Sequence, residues 1–463
     1  MSAFDAFSFS FSLSFCFSSL KKKLYTRGRE TKKMSSSSSA QQRIVCGDEA
    51  HAVCSVPNVD AHDESLFAVA CFSSSSSGGG NRNPSVKIFR VDAQTHRLKE
   101  KSERAVKSAS SSSSFSSGAT KIVDVDCHKG GGMNADDVAA ERDSSGVVTI
   151  AACTSEGTVS VFREDDDGEE EEEGKNVKSE KTGGGGVECF YSSCKFDPNG
   201  DGRVLAMVTS GGESVSFYDR ERDAFVGSFR SSSSSSRGSS SSGSAGLGGG
   251  KKRCAKGDWS KTNRNQFAFA KDGEVFVVDS RSSGSDAKPV FAQASAFRDV
   301  AFSASEDGRY MITASEDWLV KTWDLRKNGG EPVKCFTGHE GTVTKARFNP
   351  VYESIVMSSS LDGTVKLWRD SDLGRLPDDD DSGRRRSKKV NIDENSGGST
   401  NSEGVDVELK AYGNLQTTTV GSFSPVVDAC WSSNDPWVFA AITMDGTVAL
   451  DVVPRSEKYR ILL

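Results

Sequence analysis

Short runs of alternating apolar and polar residues recur along the chain, and two of them are closely similar. Residues 315–326 read SEDWLVKTWDLR, and residues 360–370 read SLDGTVKLWRD, 45 positions later. Each run opens near an acidic residue, Asp317 or Asp362, which is typical of a tight turn, and then alternates up to a tryptophan. Alternation with period two predicts strands that place one face against a neighbouring sheet. A repeat of this length that ends on tryptophan predicts the blades of a β-propeller.

Weaker copies of the same unit extend the repeat in both directions along the chain. A copy has an aromatic residue closing one strand and, about 14 residues later, an acidic or glycine turn before the next strand. Five copies have both features: Phe196 with Gly211, Trp259 with Asp272, Phe302 with Asp317, Phe348 with Asp362, and Trp431 with Asp445. Two further copies lack the aromatic residue and end at residues 85–92 and 156–162. The sequence therefore predicts an all-β fold, a seven-bladed WD-repeat β-propeller.

Low-complexity stretches rich in serine, glycine or charge interrupt the repeat at residues 73–85, 102–120, 164–186, 231–250 and 371–416. Without them, residues 43–463 provide about 43 residues for each of seven blades, which fits the propeller repeat. Such composition buries too little apolar area to order a chain, so we predict disordered Ser/Gly-rich and acidic loop insertions, above all at 164–186, 231–250 and 371–416.

The two ends of the propeller, taken as residues 43–463, must meet for the ring to close. The alternating segment at residues 43–56 precedes the first complete unit, and we expect it to supply the outermost strand of the seventh blade. Residues 1–42 are predicted to be a disordered tail. In its first 33 residues, alternating Phe and Ser precede a basic stretch, so the interpretations are a start at Met34 or, as a lesser alternative, an organelle transit peptide.

Composition narrows the function classes. The formal net charge is −7, from 58 basic and 65 acidic residues, which argues against a dedicated nucleic-acid binder. Eleven cysteines without a Cys-x-x-Cys pair and five scattered histidines suggest neither a disulfide framework nor a metal site, so we predict no cofactor and a reducing, cytoplasmic compartment. No apolar run is long enough to span a membrane, and we expect a monomeric propeller within larger complexes.

The fullest blade contains a His, Ser, Asp and Trp set. His339 is followed 23 residues later by Asp362 and then by Trp368, with Ser359 or Ser360 between them. In WD-repeat proteins such residues form a buried hydrogen-bonded tetrad, so we predict the structural tetrad His339, Ser360, Asp362 and Trp368. A hydrolase would use the same residue types, but the spacing is that of a repeat and no Gly-x-Ser-x-Gly elbow accompanies it. We predict no catalytic residues and no enzyme activity.

The end of the chain departs from the repeat. After the last predicted strand, Pro454 precedes a basic and aromatic segment that finishes on apolar residues. This segment either packs on the rim of the last blade or docks a partner. The candidate partner-binding residues are Trp437, Arg455, Tyr459, Leu462 and Leu463.

This last segment resembles the EARP- and GARP-interacting protein family of WD-repeat proteins. The matching residues include Asp435-Pro436-Trp437, Val453-Pro454-Arg455, Lys458-Tyr459 and the terminal Ile461-Leu462-Leu463. The resemblance extends over roughly residues 297–463 and includes Trp-Asp-x-Arg at 323–326 and the charged insertion before the last blade. It implies a non-enzymatic adaptor that binds the EARP and GARP tethering complexes and supports endosomal recycling and endosome-to-Golgi traffic. The implied location is the cytoplasm, peripheral to endosomes and the trans-Golgi network.

The Trp-Asp-x-Arg sequence at 323–326 leaves one alternative open. WD-repeat substrate receptors of cullin-RING ubiquitin ligases often carry it at the end of a blade, although many other propellers carry it as well. The alternative function is therefore that of a ligase substrate receptor.

Overall fold

The computed structural model consists of antiparallel strands. The residues that it describes are 42–46, 49–57, 65–73, 83–91, 98–106, 121–129, 148–155, 158–164, 175–177, 191–199, 202–210, 212–231, 256–282, 287–304, 308–326, 331–369, 407–412, 424–453 and 458–459. Within these ranges, no helix is long and apolar enough to cross a membrane.

The strands form seven four-stranded sheets, one for each predicted blade. Blade 1 contains β2 (Glu49–Val56), β3 (Ser65–Ser73), β4 (Asn83–Val91) and β5 (Leu98–Ala105). Blade 2 contains β6 (Ile122–Lys129), β7 (Val148–Thr154), β8 (Val159–Glu164) and β9 (Lys175–Val177). Blade 3 contains β10 (Tyr191–Phe196), β11 (Val204–Thr209), β12 (Ser214–Asp219) and β13 (Ala224–Arg230). Blade 4 contains β14 (Gly257–Trp259), β15 (Gln266–Lys271), β16 (Glu274–Asp279) and β17 (Pro289–Ala292).

The remaining blades include the two fullest sequence repeats. Blade 5 contains β18 (Phe297–Phe302), β19 (Tyr310–Ser315), β20 (Val320–Asp324) and β21 (Lys334–Phe336). Blade 6 contains β22 (Val343–Phe348), β23 (Ile355–Ser360), β24 (Val365–Arg369) and β25 (Val407–Tyr412). Blade 7 contains β26 (Val426–Trp431), β27 (Val438–Thr443) and β28 (Thr447–Val452), and its fourth strand is β1 (Gln42–Val45). The predicted all-β, seven-bladed propeller is confirmed.

The ring closes through the start of the chain. Strand β1 pairs antiparallel with β28, with Ile44 opposite Val448, so the outermost strand of blade 7 comes from the segment predicted to supply it. The rest of that segment has another place: Glu49–Val56 is the innermost strand of blade 1. The prediction that residues 43–56 lack a blade of their own was wrong for this part, because a fully buried inner strand carries no aromatic or turn marker of the repeat.

Two of the predicted disordered insertions contain strands. Lys175–Val177, inside 164–186, pairs with β8 and completes blade 2. Val407–Tyr412, inside 371–416, pairs with β24 and completes blade 6. An outer strand needs only backbone hydrogen bonds to one neighbour, so its composition does not reveal it. Most of the other residues in the five stretches, and residues 1–41, lie outside the described part of the chain.

The core lies between the blades. Seven clusters of buried apolar side chains are present, and each joins two neighbouring blades. Strand β3 shows how alternation builds them: Phe67 and Val69 pack against blade 7, whereas Ala68 and Ala70 pack against blade 2. Every blade is therefore stabilised by burying both of its faces.

The direction of the strands defines two faces of the ring. In an antiparallel blade, the turn between the second and third strands lies at the same end as the connection to the next blade. Asp124 and Asp126 of β6 accept backbone hydrogen bonds from Cys194 and Phe196 of β10, so these inner strands run in the same direction. We call the face with these second-to-third-strand turns the turn face, and the other the opposite face.

Candidate partner-binding surface and the conserved geometry of the repeat

The His, Ser, Asp and Trp set of blade 6 comes together as a hydrogen-bonded chain. The indole N–H of Trp368 donates to Ser358 Oγ at 2.8 Å. His339 Nε2 lies 2.7 Å from the same oxygen, and His339 Nδ1 lies 2.9 Å from Asp362 Oδ2. A neutral histidine that donates from Nδ1 to the carboxylate and accepts from the serine at Nε2 satisfies every contact.

The serine of this set is Ser358, which corrects the predicted Ser360. The hydroxyl of Ser360 donates instead to the Gly341 carbonyl at 3.1 Å, and its oxygen accepts from the backbone N–H of Asp362. Ser359 faces blade 7, where its hydroxyl contacts Thr344. Three serines in a row carry no information about height along the strand. The pairing of Ser358 with Lys366 places it diagonally beside Trp368.

The burial of this set argues for a structural role. The His339 side chain is 1% exposed, and Ser358 is equally inaccessible. The indole N–H occupies the oxygen that a serine nucleophile would use, and no route for a substrate reaches it among these packed side chains. Burial acts to raise the pKa of Asp362, but the hydrogen bond and charge of His339 outweigh it and lower that pKa to about 2.

Blade 5 builds the same support from other residues. Trp323 donates its indole N–H to Thr313 Oγ1 at 2.9 Å, so threonine takes the place of Ser358. Instead of a histidine, the ammonium of Lys321 lies 2.6 Å from Asp317 and 2.5 Å from Gln293. An acidic turn is thus anchored to the interior in both blades. The loss of the histidine in blade 5 does not leave its turn without support.

A buried charged cluster in blades 2, 3 and 4 was not predicted from the sequence. Asp124 accepts from Lys256 Nζ at 2.9 Å and from Ser193 Oγ at 2.7 Å, and Lys195 Nζ lies 3.6 Å away. Burial acts to raise the pKa of Asp124, but the two ammonium groups outweigh it and keep that pKa below its usual value. The three charges come from consecutive inner strands, so they join three blades at the centre of the ring. Isolated charges at 60-residue separations gave no sequence signal for them.

The candidate partner-binding residues that the structure describes lie on the opposite face. The ring of Trp437 lies against that of Tyr352, with 4.7 Å between centroids, and the Lys458 ammonium lies 5.2 Å from the centre of the Trp437 ring. Tyr459 and Val351 are each 63% exposed. We call Val351, Tyr352, Trp437, Lys458 and Tyr459 the carboxy-terminal patch.

This patch combines both predicted behaviours of the chain end. Lys458 packs on the blade through its contact with Trp437, whereas Tyr459 remains open to a partner. The backbone N–H of Val453 donates to the Trp437 carbonyl at 2.8 Å, which fixes where the segment leaves the blade. Arg455, Leu462 and Leu463 lie outside the described residues. Tyr352 was missed because it belongs to a loop of blade 6, far from the chain end in sequence.

The Trp-Asp-x-Arg sequence of blade 5 also ends at the opposite face. The carboxylate of Asp324 is 2% exposed and accepts from the Arg309 guanidinium at 2.8 Å. Arg326 lies 3.5 Å from the same carboxylate but is 58% exposed. The aspartate is therefore occupied within its blade, and the arginine is the part of this sequence that a partner could reach.

Comparison with known families identifies the repeat. The family described as WD domain, G-beta repeat matches residues 292–324, 330–369 and 413–450, which correspond to blades 5, 6 and 7. The chain is a WD-repeat β-propeller. The four preceding blades have the same strand order without matching the family description, because insertions and lost turn residues weaken their sequence pattern.

Relatives with similar sequences carry names that agree with the predicted resemblance. The human protein named EARP and GARP complex-interacting protein 1 is 27% identical over 294 residues, 61% of this chain and 67% of its own length. The rat protein of that name is 28% identical over 290 residues, 60% of this chain and 65% of its own length. The EARP-interacting protein homolog of Gekko japonicus is 27% identical over 278 residues, 58% of this chain and 64% of its own length. The predicted resemblance is confirmed, and the matched part spans about two thirds of these relatives.

Proposed function

We propose that this WD-repeat protein is a non-enzymatic adaptor that binds the EARP and GARP tethering complexes. The similarity to proteins named for interaction with these complexes supports the proposal. The adaptor would act in the cytoplasm, at the surface of endosomes and the trans-Golgi network, in endosomal recycling and endosome-to-Golgi vesicle traffic. No catalytic step is needed for this role, since a rigid ring offers surface on two faces.

The carboxy-terminal patch is the proposed contact with a tethering subunit. Tyrosine, tryptophan and a cation placed over an aromatic ring are groups that dominate binding energy at protein interfaces. Tyr459 is exposed beside Trp437, whose position is fixed by stacking on Tyr352. A partner would thus meet a preorganised aromatic surface, which lowers the entropic cost of binding.

Co-purification of the tethering complexes tests this proposal. The full chain, a chain cut after Val453 and the point variant Tyr459→Ala would be expressed at equal levels in cells, with Val226→Ala as the control. Val226 is 40% exposed on the outer strand of blade 3, far from the patch. Loss of tethering subunits from the first two variants, with normal thermal unfolding, is the expected outcome.

Two other outcomes would have distinct meanings. If the full chain recovers no tethering subunit, the adaptor function itself is wrong. If both carboxy-terminal variants recover the subunits as well as the full chain does, the function stands but the patch is not the contact.

Exposed Arg326 keeps the second candidate function, a substrate receptor of a cullin-RING ubiquitin ligase, open to test. The full chain would recover the ligase adaptor in that case, and Arg326→Ala would abolish the recovery. Absence of the adaptor from the full-chain purification removes this candidate.

A further inference from the structure

One turn of the propeller holds a tryptophan in a backbone conformation that suits glycine. Trp318 has φ of 71° in the β19–β20 turn. Turns of the same length in blades 3, 6 and 7 have Gly212, Gly363 and Gly446 at this position, with φ of 68°, 83° and 81°. Four blades therefore form one turn shape, and blade 5 forms it with the bulkiest side chain.

Folding gives no reason for this tryptophan. A positive φ crowds the Cβ atom of any residue other than glycine, and a bulky residue tolerates it least. Trp318 does not recover this cost through burial, because it is 52% exposed, whereas Trp323 in the same blade is 2% exposed. A strained and exposed aromatic side chain is the kind of outlier from which a binding role is properly inferred.

Neighbouring turns extend the apolar surface. Leu361 of blade 6 is 39% exposed, and Met444 of blade 7 is 42% exposed. Each occupies the first position of its turn, so both lie on the turn face with Trp318, across three consecutive blades. Tryptophan and methionine are enriched at the centres of protein interfaces, where methionine adapts to the shape of the partner.

The charge around this surface indicates the chemistry of the partner. Within the described turns and connections of blades 4 to 6 on this face, the fully exposed charged side chains are acidic, Asp272 and Glu340. The basic side chains of Lys321 and Lys366 are buried. The ammonium of Lys321 is held by Asp317, as described above. An apolar centre with an acidic rim attracts a segment of opposite charge and repels an acidic one.

We propose that Trp318, Leu361 and Met444 form a docking surface for a protein partner whose binding segment combines apolar side chains with lysine or arginine. Trp318 inserts between the apolar residues of that segment, and Asp272 and Glu340 contact its basic residues. The surface lies on the turn face, away from the carboxy-terminal patch. The propeller thus has two independent contact sites, and a variant of one leaves the other intact.

Fluorine NMR on the full chain tests the docking surface directly. The protein is labelled with 5-fluorotryptophan, and the resonance of Trp318 is identified by its loss in Trp318→Asn. The probe is an amphipathic peptide of leucine and lysine, and a second peptide replaces each lysine with glutamate. We expect the lysine peptide to shift the Trp318 resonance saturably, and the glutamate peptide to leave it unmoved.

Affinity measurements with a dye-labelled lysine peptide add the quantitative test. Trp318→Asn is expected to weaken binding by roughly tenfold or more, as for the loss of a central interface residue. Val351→Asn, which removes an equally exposed apolar residue on the opposite face, is the control and should bind as the native chain does. Neutralising the rim with Asp272→Asn and Glu340→Gln should weaken binding and reduce its dependence on salt.

Three results would overturn the proposal. One is a Trp318 resonance that the lysine peptide leaves in place, and another is equal binding of the lysine and glutamate peptides. The third comes from thermal unfolding. Asparagine tolerates positive φ, so Trp318→Asn should unfold within about two degrees of the native chain or above it. A clearly lower unfolding temperature would mean that the tryptophan serves folding.

Discussion

Asp428 of the last blade accepts a hydrogen bond from the backbone N–H of Val53 in the first blade, with 3.0 Å between the carboxylate oxygen and the nitrogen. Its other oxygen lies 2.6 Å from the ammonium of Lys345 in blade 6. One buried carboxylate thus joins the two ends of the ring to the blade before them. Asp299 makes the same contact with the backbone N–H of Ala346, so the device recurs between other blades.

Removing the charge of Asp428 should destabilise the closed ring. In Asp428→Asn the amide can still accept from Val53, but Lys345 is left buried without its counter-ion. We expect a loss of about 3 kcal/mol in the free energy of unfolding, as for breaking one side of a buried ion pair. Urea unfolding followed by circular dichroism measures it, with the exposed Asp272→Asn as control. Equal midpoints for the two variants would contradict the role of Asp428 in closure.

The assignment of Ser358 to the tetrad predicts different costs for two neighbouring serines. Ser358→Ala leaves the indole N–H of Trp368 buried without an acceptor, which should cost about 1–3 kcal/mol of folding free energy. Ser358→Thr should retain most of the stability, because Thr313 supports Trp323 in the same way in blade 5. Thermal unfolding compares these variants with Ser360→Ala. A larger loss for Ser360→Ala than for Ser358→Ala would return the assignment to Ser360.

Asp362 predicts a dependence of stability on acidic pH. Its pKa is lowered from 3.8 to about 2 in the folded protein, so the carboxylate stabilises the fold above the unfolded-state pKa. This contribution, about 2 kcal/mol, is lost as pH falls from about 4 to about 2, because the group must then take up a proton in both states. The difference in unfolding free energy between the native chain and Asp362→Asn should therefore shrink over that interval. A constant difference between pH 5 and pH 2 would contradict the lowered pKa.

Two tryptophans six positions apart in blade 5 should respond oppositely to truncation. Trp318→Gly relieves a positive φ at an exposed turn, and the relief of about 1 kcal/mol offsets the entropy that glycine loses on folding. We expect a free energy of unfolding within about 1 kcal/mol of the native value, or slightly above it. Trp323→Ala removes a buried ring and should cost about 3–5 kcal/mol. Urea midpoints measure both, and a large loss in Trp318→Gly would show that the ring supports the turn.

Turn and strand patterns predicted the fold well where each blade carries its own markers. Blades 5, 6 and 7 could be located from Trp323, Trp368 and Trp431, since a period-two strand after an acidic turn is a local property. The outer strands β9 and β25 could not, because they lie within insertions and are selected by pairing with a neighbour. Charged residues at the centre of the ring were also missed, since Asp124, Lys195 and Lys256 meet only when three blades stand side by side.

The sequence by itself determined the repeat, the number of blades, the acidic turns and the resemblance of the chain end to a family of WD-repeat proteins. These are local patterns, read from spacing and residue type. Only the tertiary structure decided that Ser358 supports Trp368, that Tyr352 lies under Trp437, and that Trp318, Leu361 and Met444 share one face. The physical reason is that strand register and blade order fix which side chains meet, and both depend on contacts between residues far apart in the chain.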